Sequence, residues 1–277
     1  MYDGSAIAAA ELRFREDLWR TAPTDAVEEA EVRCRWFGPI FATVFGDLPN
    51  SDLMNRVHGV AEPGAIESGY LAQAIEWVRA YEVDYRVSVT EDRPGTKAAE
   101  EWLESRGYEP GTTMRRYLRP STTRGEEVTS PIAIRERDPM ETEGMSHIVT
   151  KSFDLSSLAT VLMFGLPERE GWRCYAASLD GWEVACGSML MMDNLAWLAL
   201  DATLPTARGR GCHSALIARR LADAARAGCE NVVAEVCDDE TASPEATTNL
   251  TRAGFLEIPG VRNWQRPSGL PEDFPAA

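Results

Sequence analysis

The chain has 277 residues, with 28 Lys and Arg against 44 Asp and Glu and a formal net charge of −16. That length leads us to expect two domains, and so acidic a surface argues against non-specific binding to nucleic acid or to an anionic membrane. The six cysteines (Cys34, Cys174, Cys186, Cys212, Cys229, Cys237) form no C-x-x-C and no zinc-like spacing, so neither a metal site nor a disulfide framework is expected.

In chain order, residues 8–20 carry helical spacing that stops at Ala22-Pro23, and residues 37–45 and 56–60 read as strands around Asp47-Leu48-Pro49-Asn50. A helix is expected over 68–81, with Leu71, Ile75 and Val78 on one face, then a strand over 84–90. Residues 97–106 form a helix closed by Gly107, and a strand follows over 113–119. Residues 120–130 have almost no apolar content and read as a linker. Beyond it come a strand at 132–136, helices at 141–151 and 156–164, and strands at 173–179 and 183–191 around the hairpin signal Asp180-Gly181. Residues 195–200 are a strand that leads into a basic, glycine-rich loop and an amphipathic helix starting near Ser214. A strand at 231–236, a helix at 247–252 and a strand at 262–266 complete the pattern. The chain opens on no basic segment with an apolar core, and no apolar run is long enough to span a bilayer. A cytoplasmic protein is expected.

The two halves repeat. Residues 103–120 (LESRGYEPGTTMRRYLRP) align without gaps on 250–267 (LTRAGFLEIPGVRNWQRP), an offset of 147 residues, with Leu, Gly, Arg, Arg and Pro coinciding. The same offset places Gly64 opposite Gly211. In the first copy, however, the loop lacks arginine, and Glu62 and Glu67 bring negative charge.

The loop Arg208-Gly209-Arg210-Gly211-Cys212-His213 precedes a helix whose first turn holds no acidic residue. The unpaired N–H groups and partial positive charge of a helix start, beside two arginines, suit an anion. The run Arg208-x-x-Gly211-x-His213 after a strand resembles the coenzyme A pyrophosphate loop of the GNAT family of N-acetyltransferases. That family's pattern is Arg or Gln, two residues, Gly, one residue, then Gly or Ala. Thr203-Leu204-Pro205 resembles the family's approach to the loop. Asn249 followed by Arg252-Ala253-Gly254-Phe255 resembles its Asn…Arg-x-Gly-Phe ending. The resemblance is strong over 130–267 and extends more weakly, through the repeat, over 1–120.

What the resemblance implies is an α/β chain of two tandem GNAT-like domains, each a central mixed sheet flanked by helices with a splayed central strand. Residues 1–122 would be a degenerate copy without a phosphate loop, 123–130 a linker, and 131–277 the acetyltransferase domain. The implied chemistry is direct attack by the amine of a small molecule on the thioester of acetyl-CoA, in a monomer or homodimer. Pyrophosphate would lie on the N–H groups of Arg208, Gly209, Arg210, Gly211, Cys212, His213 and Ser214. The thioester oxygen would meet an N–H from about residues 200–203, Ala202 and Thr203 among them, and Asn249 would reach the pantetheine. Asp201 is the first candidate for the base, with a loop-capping role as its alternative. Glu235 is the second, with a rim salt bridge as its alternative, and Asp193 is third; a water relay would also serve. Cys212 reads as a packing residue, and His58 and His147 as structural. Asp154, Glu168 and Glu170, with Phe153, Phe164 and Trp172, are candidates for the acceptor pocket.

Two positions depart from the family pattern. His213 stands where Gly or Ala is usual. Leu250 occupies the position, four before the Gly of Gly-Phe, where many members carry a Tyr that protonates the departing thiolate; no Tyr follows Tyr175. Two other functions therefore stay open: an acyl-CoA-binding protein without turnover, as sensor or scaffold, and an enzyme with other acyl-CoA chemistry.

Overall fold

The computed structural model describes residues 3–20, 22, 24–51, 53–121, 132–138, 143–153, 169–238 and 244–267. The first half runs α1 (Gly4–Arg20), α2 (Thr24–Glu29), β1 (Val32–Phe37), β2 (Ile40–Phe45), β3 (Arg56–His58), α3 (Tyr70–Arg79), β4 (Arg86–Thr90), α4 (Thr96–Glu104) and β5 (Glu109–Pro120). The second runs β6 (Ala133–Glu136), α5 (Glu143–Phe153), β7 (Trp172–Leu179), β8 (Trp182–Met192), β9 (Leu195–Thr203), a 3-10 turn (Pro205–Ala207), α6 (Cys212–Arg226), β10 (Asn231–Asp238), α7 (Pro244–Arg252) and β11 (Leu256–Gln265).

Two expectations need adjusting. The strand expected over 37–45 is the second arm of a hairpin: Gly38, at φ 55, turns the chain beside Pro39, and β1 precedes it. That Gly-Pro pair is a turn signal inside an otherwise apolar run. The short helix α2 has too few residues to show a period, and its single buried residue is Ala26. The helix expected over 156–164 and nearly all of the expected linker lie outside the described residues.

All eleven strands join one mixed sheet in the order β1-β2-β3-β4-β11-β5-β10-β9-β8-β7-β6. The pairs β3–β4 and β9–β10 are parallel and the rest antiparallel. At the centre the halves exchange their last strands: β11 pairs with β4 of the first half, and β5 pairs with β10 of the second. The register has the symmetry of the repeat. Met114 lies opposite Val261, its own counterpart 147 residues on. Likewise Asn263 faces Ser88 while Arg116 faces Glu235, each residue of one pair the repeat counterpart of a residue in the other.

Helices cover both faces. On one face α6 packs Leu216, Ile217, Leu221 and Ala224 against Tyr175, Ala196, Leu198, Val232 and Ala234. On the other face α1 and α5 cover the sheet, and α1 spans both halves. Its Phe14 stacks on Trp197 of β9 at a ring separation of 5.4 Å, and its Trp19 meets Phe45 of β2 edge-on at 4.8 Å. No helix among the described residues is long and apolar enough to cross a membrane.

Candidate functional site

The site begins with a defect in β9. Opposite Gly187 of β8, the strand carries an extra residue between Ala199 and Ala202, and Leu200 takes φ 55. A leucine in the left-handed region costs about 1–3 kcal/mol and needs support from its surroundings. That support is Asp201. Both of its carboxylate oxygens accept from the guanidinium of Arg220 on α6, which is 0% exposed and also donates to the carbonyls of Ser188 and Leu216. Gly187 makes the room: a Cβ there would lie 2.7 Å from an Asp201 oxygen and 2.9 Å from an Arg220 nitrogen.

The bulge redirects β9 away from β10. Their parallel pairing runs from Leu195 opposite Asn231 to Leu198 opposite Ala234 and ends there. Beyond it β9 stays paired to β8, and β10 stays paired to β5 as far as Asp238. The edges of the two strands that face each other therefore carry backbone groups with no ladder partner across the gap. This opening lies at the carboxyl end of the parallel pair, the end at which open α/β sheets place ligands.

From the gap β9 passes through Leu204, whose N–H bonds to the Val184 carbonyl, and the 3-10 turn into the basic loop. Gly209 and Gly211 both have positive φ, and a Cβ on Gly209 would meet nothing within 4 Å, so the loop presents its backbone openly. Gly211 is the N-cap of α6, with no side-chain cap and no acidic residue in the first turn. Arg208 is exposed and makes no side-chain hydrogen bond or ion pair among the described residues. Among the described residues Arg210 pairs with Asp180 alone, at 3.6 Å between two exposed side chains. The loop thus offers two weakly engaged cations and, past Arg208, whose N–H bonds to the Pro205 carbonyl, open backbone N–H groups. Cys212 is buried, and its thiol pKa is raised by that burial, so it packs as an inert residue.

His213 was expected to offer its backbone N–H to the pyrophosphate, and its side chain has partners of its own. Its Nδ1 lies 3.2 Å from the amide nitrogen of Asn249 on α7, and its Nε2 lies 3.7 Å from Asp201 Oδ1. An amide N–H donating to Nδ1 leaves the ring proton on Nε2, facing the carboxylate. Burial, with a smaller effect from Arg220, lowers the His213 pKa against the opposing pull of Asp201. His213 thereby joins Asn249, the loop and Asp201 into one polar chain.

Glu235, on β10 at the mouth of the gap, is held by Arg116 at 2.8 Å and by Arg15 at 2.6 Å. Arg116 also binds Glu11 of α1 at 2.7 Å, and His58 lies 3.7 Å from Glu11. Asp193 sits apart, in an exposed turn, paired with Arg13. Of the acceptor candidates, Asp154, Phe164 and Glu168 lie outside the described residues; Phe153 and Glu170 are exposed, and Trp172 is buried with its indole N–H donating to Asp17. Leu250 is buried in the core beneath α6 and α7.

Sequence reasoning missed Arg220, Gly187 and the Arg15–Arg116 network. Arg220 did leave a signal, since it lies four residues from both Leu216 and Ala224 on the apolar face of α6, where a cation needs a buried partner. Nothing in the sequence marks Gly187.

The equivalent place in the first half is closed. Gly64 has φ 81, close to the 86 of Gly211, but α3 starts only at Tyr70. Over 62–69 the N–H groups of Glu62, Ala65, Ser68 and Gly69 bond to nearby carbonyls. Glu62 is bound by Arg93, and the backbone of Gly95 packs on the Ala61 carbonyl, where a Cβ would lie 2.7 Å away.

A bulged strand splayed from its parallel neighbour and running through a basic glycine loop into a helix, in a chain whose strand and helix order is repeated once, defines a fold: this chain has the tandem form of the GCN5-related N-acetyltransferase (GNAT) fold. No family model matches the chain, and neither does any curated protein. Solved structures do match. A GCN5-related N-acetyltransferase from Kribbella flavida superposes with TM-score 0.66 at 17% identity, covering 97% of both chains. One from Sphaerobacter thermophilus gives 0.61 at 18%, over 83% of this chain and 81% of its own. A tandem GNAT protein from the clavulanic acid biosynthesis pathway, solved without AcCoA, gives 0.60 at 15%, over 84% and 79%.

Proposed function

We propose that this chain is an acetyl-CoA-dependent N-acetyltransferase that acts on the amine of a small molecule by direct attack. We place one cofactor site per chain, in residues 131–277, with residues 1–122 as a copy that kept the fold and lost the loop. The observation that carries this reading is the gap between β9 and β10 opening beside a basic loop whose arginines have almost no partners. Two cations left this free in a chain of net charge −16 fit a bound anion better than a structural role.

When bound, acetyl-CoA supplies an activated acetyl thioester. The N–H groups of the loop and of the first turn of α6 would hold its pyrophosphate, with Arg208 and Arg210 adding charge. Unpaired N–H groups of β9 from residues 200–203, fixed in place by the bulge, would face the oxygen on which negative charge develops. Asp201 and Glu235 both accept from arginines, which favours water as the route for the amine proton over either carboxylate as a direct base. Asp201 then serves to hold the bulge and orient His213.

The test is thiol release from acetyl-CoA with a panel of small amines, alongside direct titration of CoA. The wild type should release thiol with at least one amine, and the double change Arg208→Ala and Gly211→Asp should abolish CoA binding. Unchanged affinity in that variant would remove the site assignment. A second reading, acyl-CoA binding without turnover, draws on buried Leu250 in the place of a proton-donating Tyr. CoA binding with no thiol release for any amine would select it.

A further inference from the structure

The tip of the β7–β8 hairpin carries a large aromatic side chain that no core uses. Trp182 is 79% exposed, beyond Leu256, Phe153, Leu53, Trp36 and Tyr81, the other large exposed apolar side chains among the described residues. Its hairpin is tight: Asp180 and Gly181 take φ 52 and 83, as a two-residue turn of the primed type requires, so the tip is held in one place. Three observations put Trp182 beside the basic loop. Trp182 pairs with Leu179, which packs on the α6 side of the sheet, so the indole stands on that side too. Asp180, two residues before it, lies 3.6 Å from Arg210 of the loop. Next to the Leu179–Trp182 row, the start of β6 brings Ile132 to 3.6 Å from where a Gly211 Cβ would stand, so the N-terminus of α6 sits over the same row. With strands spaced about 4.8 Å apart, Trp182 lies on the order of 10 Å across the sheet from that N-terminus.

We infer that Trp182 is the stacking platform for the purine base of the coenzyme, an inference that rests on the cofactor reading above. An anion cradle made of backbone N–H groups and two arginines recognises phosphate and leaves the attached nucleoside to find its own contact. The base must lie close to the phosphates that carry it, and among the described residues Trp182 is the large exposed apolar side chain beside them. An indole face offers a π-surface to a purine, and such stacking contributes to base binding without hydrogen-bond readout. Asp180, within 3.6 Å of Arg210, sets the tip and the loop side by side and leaves Arg210 open to a phosphate.

The experiment compares wild type, Trp182→Ala and Trp182→Phe by calorimetric titration with two probes: CoA, and 4′-phosphopantetheine, which keeps the pantetheine arm and a phosphate but has no base. Trp182→Ala should weaken CoA roughly tenfold, Trp182→Phe should recover most of that loss, and all three proteins should bind 4′-phosphopantetheine alike. Equal CoA affinity in all three overturns the stacking role and leaves the cofactor site standing. Equal weakening of both probes by Trp182→Ala also overturns it, because the residue would then be acting through the loop's shape. Wild type that does not bind CoA at all overturns the cofactor reading, and this inference with it.

Discussion

Arg220 and Asp201 form the pair on which the local geometry of the site turns. The guanidinium is fully buried, so removing it leaves a partly buried carboxylate beside a strained leucine, with only His213 at 3.7 Å facing it among the described residues. Arg220→Met should cost about 3 kcal/mol of stability, the lower end of the range for breaking a buried pair, because the Asp201 side chain keeps 28% exposure. Adding Asp201→Asn should recover part of that loss in chemical denaturation. A variant as stable as wild type would mean the pair does not support the bulge. His58 makes a separate statement at this scale. It is buried, its Nδ1 has no hydrogen-bond partner, and burial first, then Arg15 and Arg56, lowers its pKa well below 6.5. The unfolded chain takes up a proton near 6.5 and the folded chain does not, so the unfolded state binds more protons below that pH. Stability should therefore be flat above about pH 6.5 and fall as the pH drops below it, with His213 adding to the slope. His58→Gln should flatten the fall in melting temperature between pH 7 and 5; an unchanged slope would assign acid sensitivity elsewhere. In the sequence His58 read only as structural, because a lone histidine announces neither its burial nor the five charged neighbours (Glu11, Arg15, Arg56, Arg116 and Glu235) that reach it from α1, β3, β5 and β10.

Among the elements, the strand–loop–helix unit is legible in the amino-acid sequence, since the glycines, the arginines and the apolar stripe of α6 all lie close together along the chain. The bulge is not, because it depends on a glycine in the neighbouring strand and an arginine 19 residues downstream of Asp201. The repeat makes the first-half unit visible too, with Gly64 aligned to Gly211, yet the two loops differ in what their backbones do. In the second half the turn leads straight into a helix with its first N–H groups open. In the first half those groups are used up over 62–69, and an ion pair between Glu62 and Arg93 covers the loop. Titration should therefore find one coenzyme per chain. Two sites of similar affinity would contradict this assignment, since the second could form only by breaking the Arg93 contact and rewinding the start of α3.

Across the whole molecule, the sequence made the doubling of the fold readable and concealed the exchange of strands. A period-two pattern states which face of a strand is buried and says nothing about which strand lies alongside. The repeat aligned β5 with β11 correctly, but their reciprocal placement follows from the sheet order alone. Its energetic consequence is large. β5 is both the last strand of the first half and the neighbour of β10 on the far side of the gap, and its Arg116 neutralises Glu235 there. A second half expressed as residues 131–277 would lack β5 and α1, exposing the free edge of β10 and the apolar faces of Trp172 and Trp197, and leaving Glu235 without Arg15 and Arg116. Such an edge is a site for aggregation. The full chain should unfold in a single cooperative transition, with the same midpoint by far-ultraviolet circular dichroism and by tryptophan fluorescence. The fragment alone should aggregate or stay largely unfolded, and mixing it during refolding with residues 1–130 should restore soluble material and CoA binding together. A fragment that folds as a soluble monomer and binds CoA with full affinity would show that the exchanged strand is dispensable to the site.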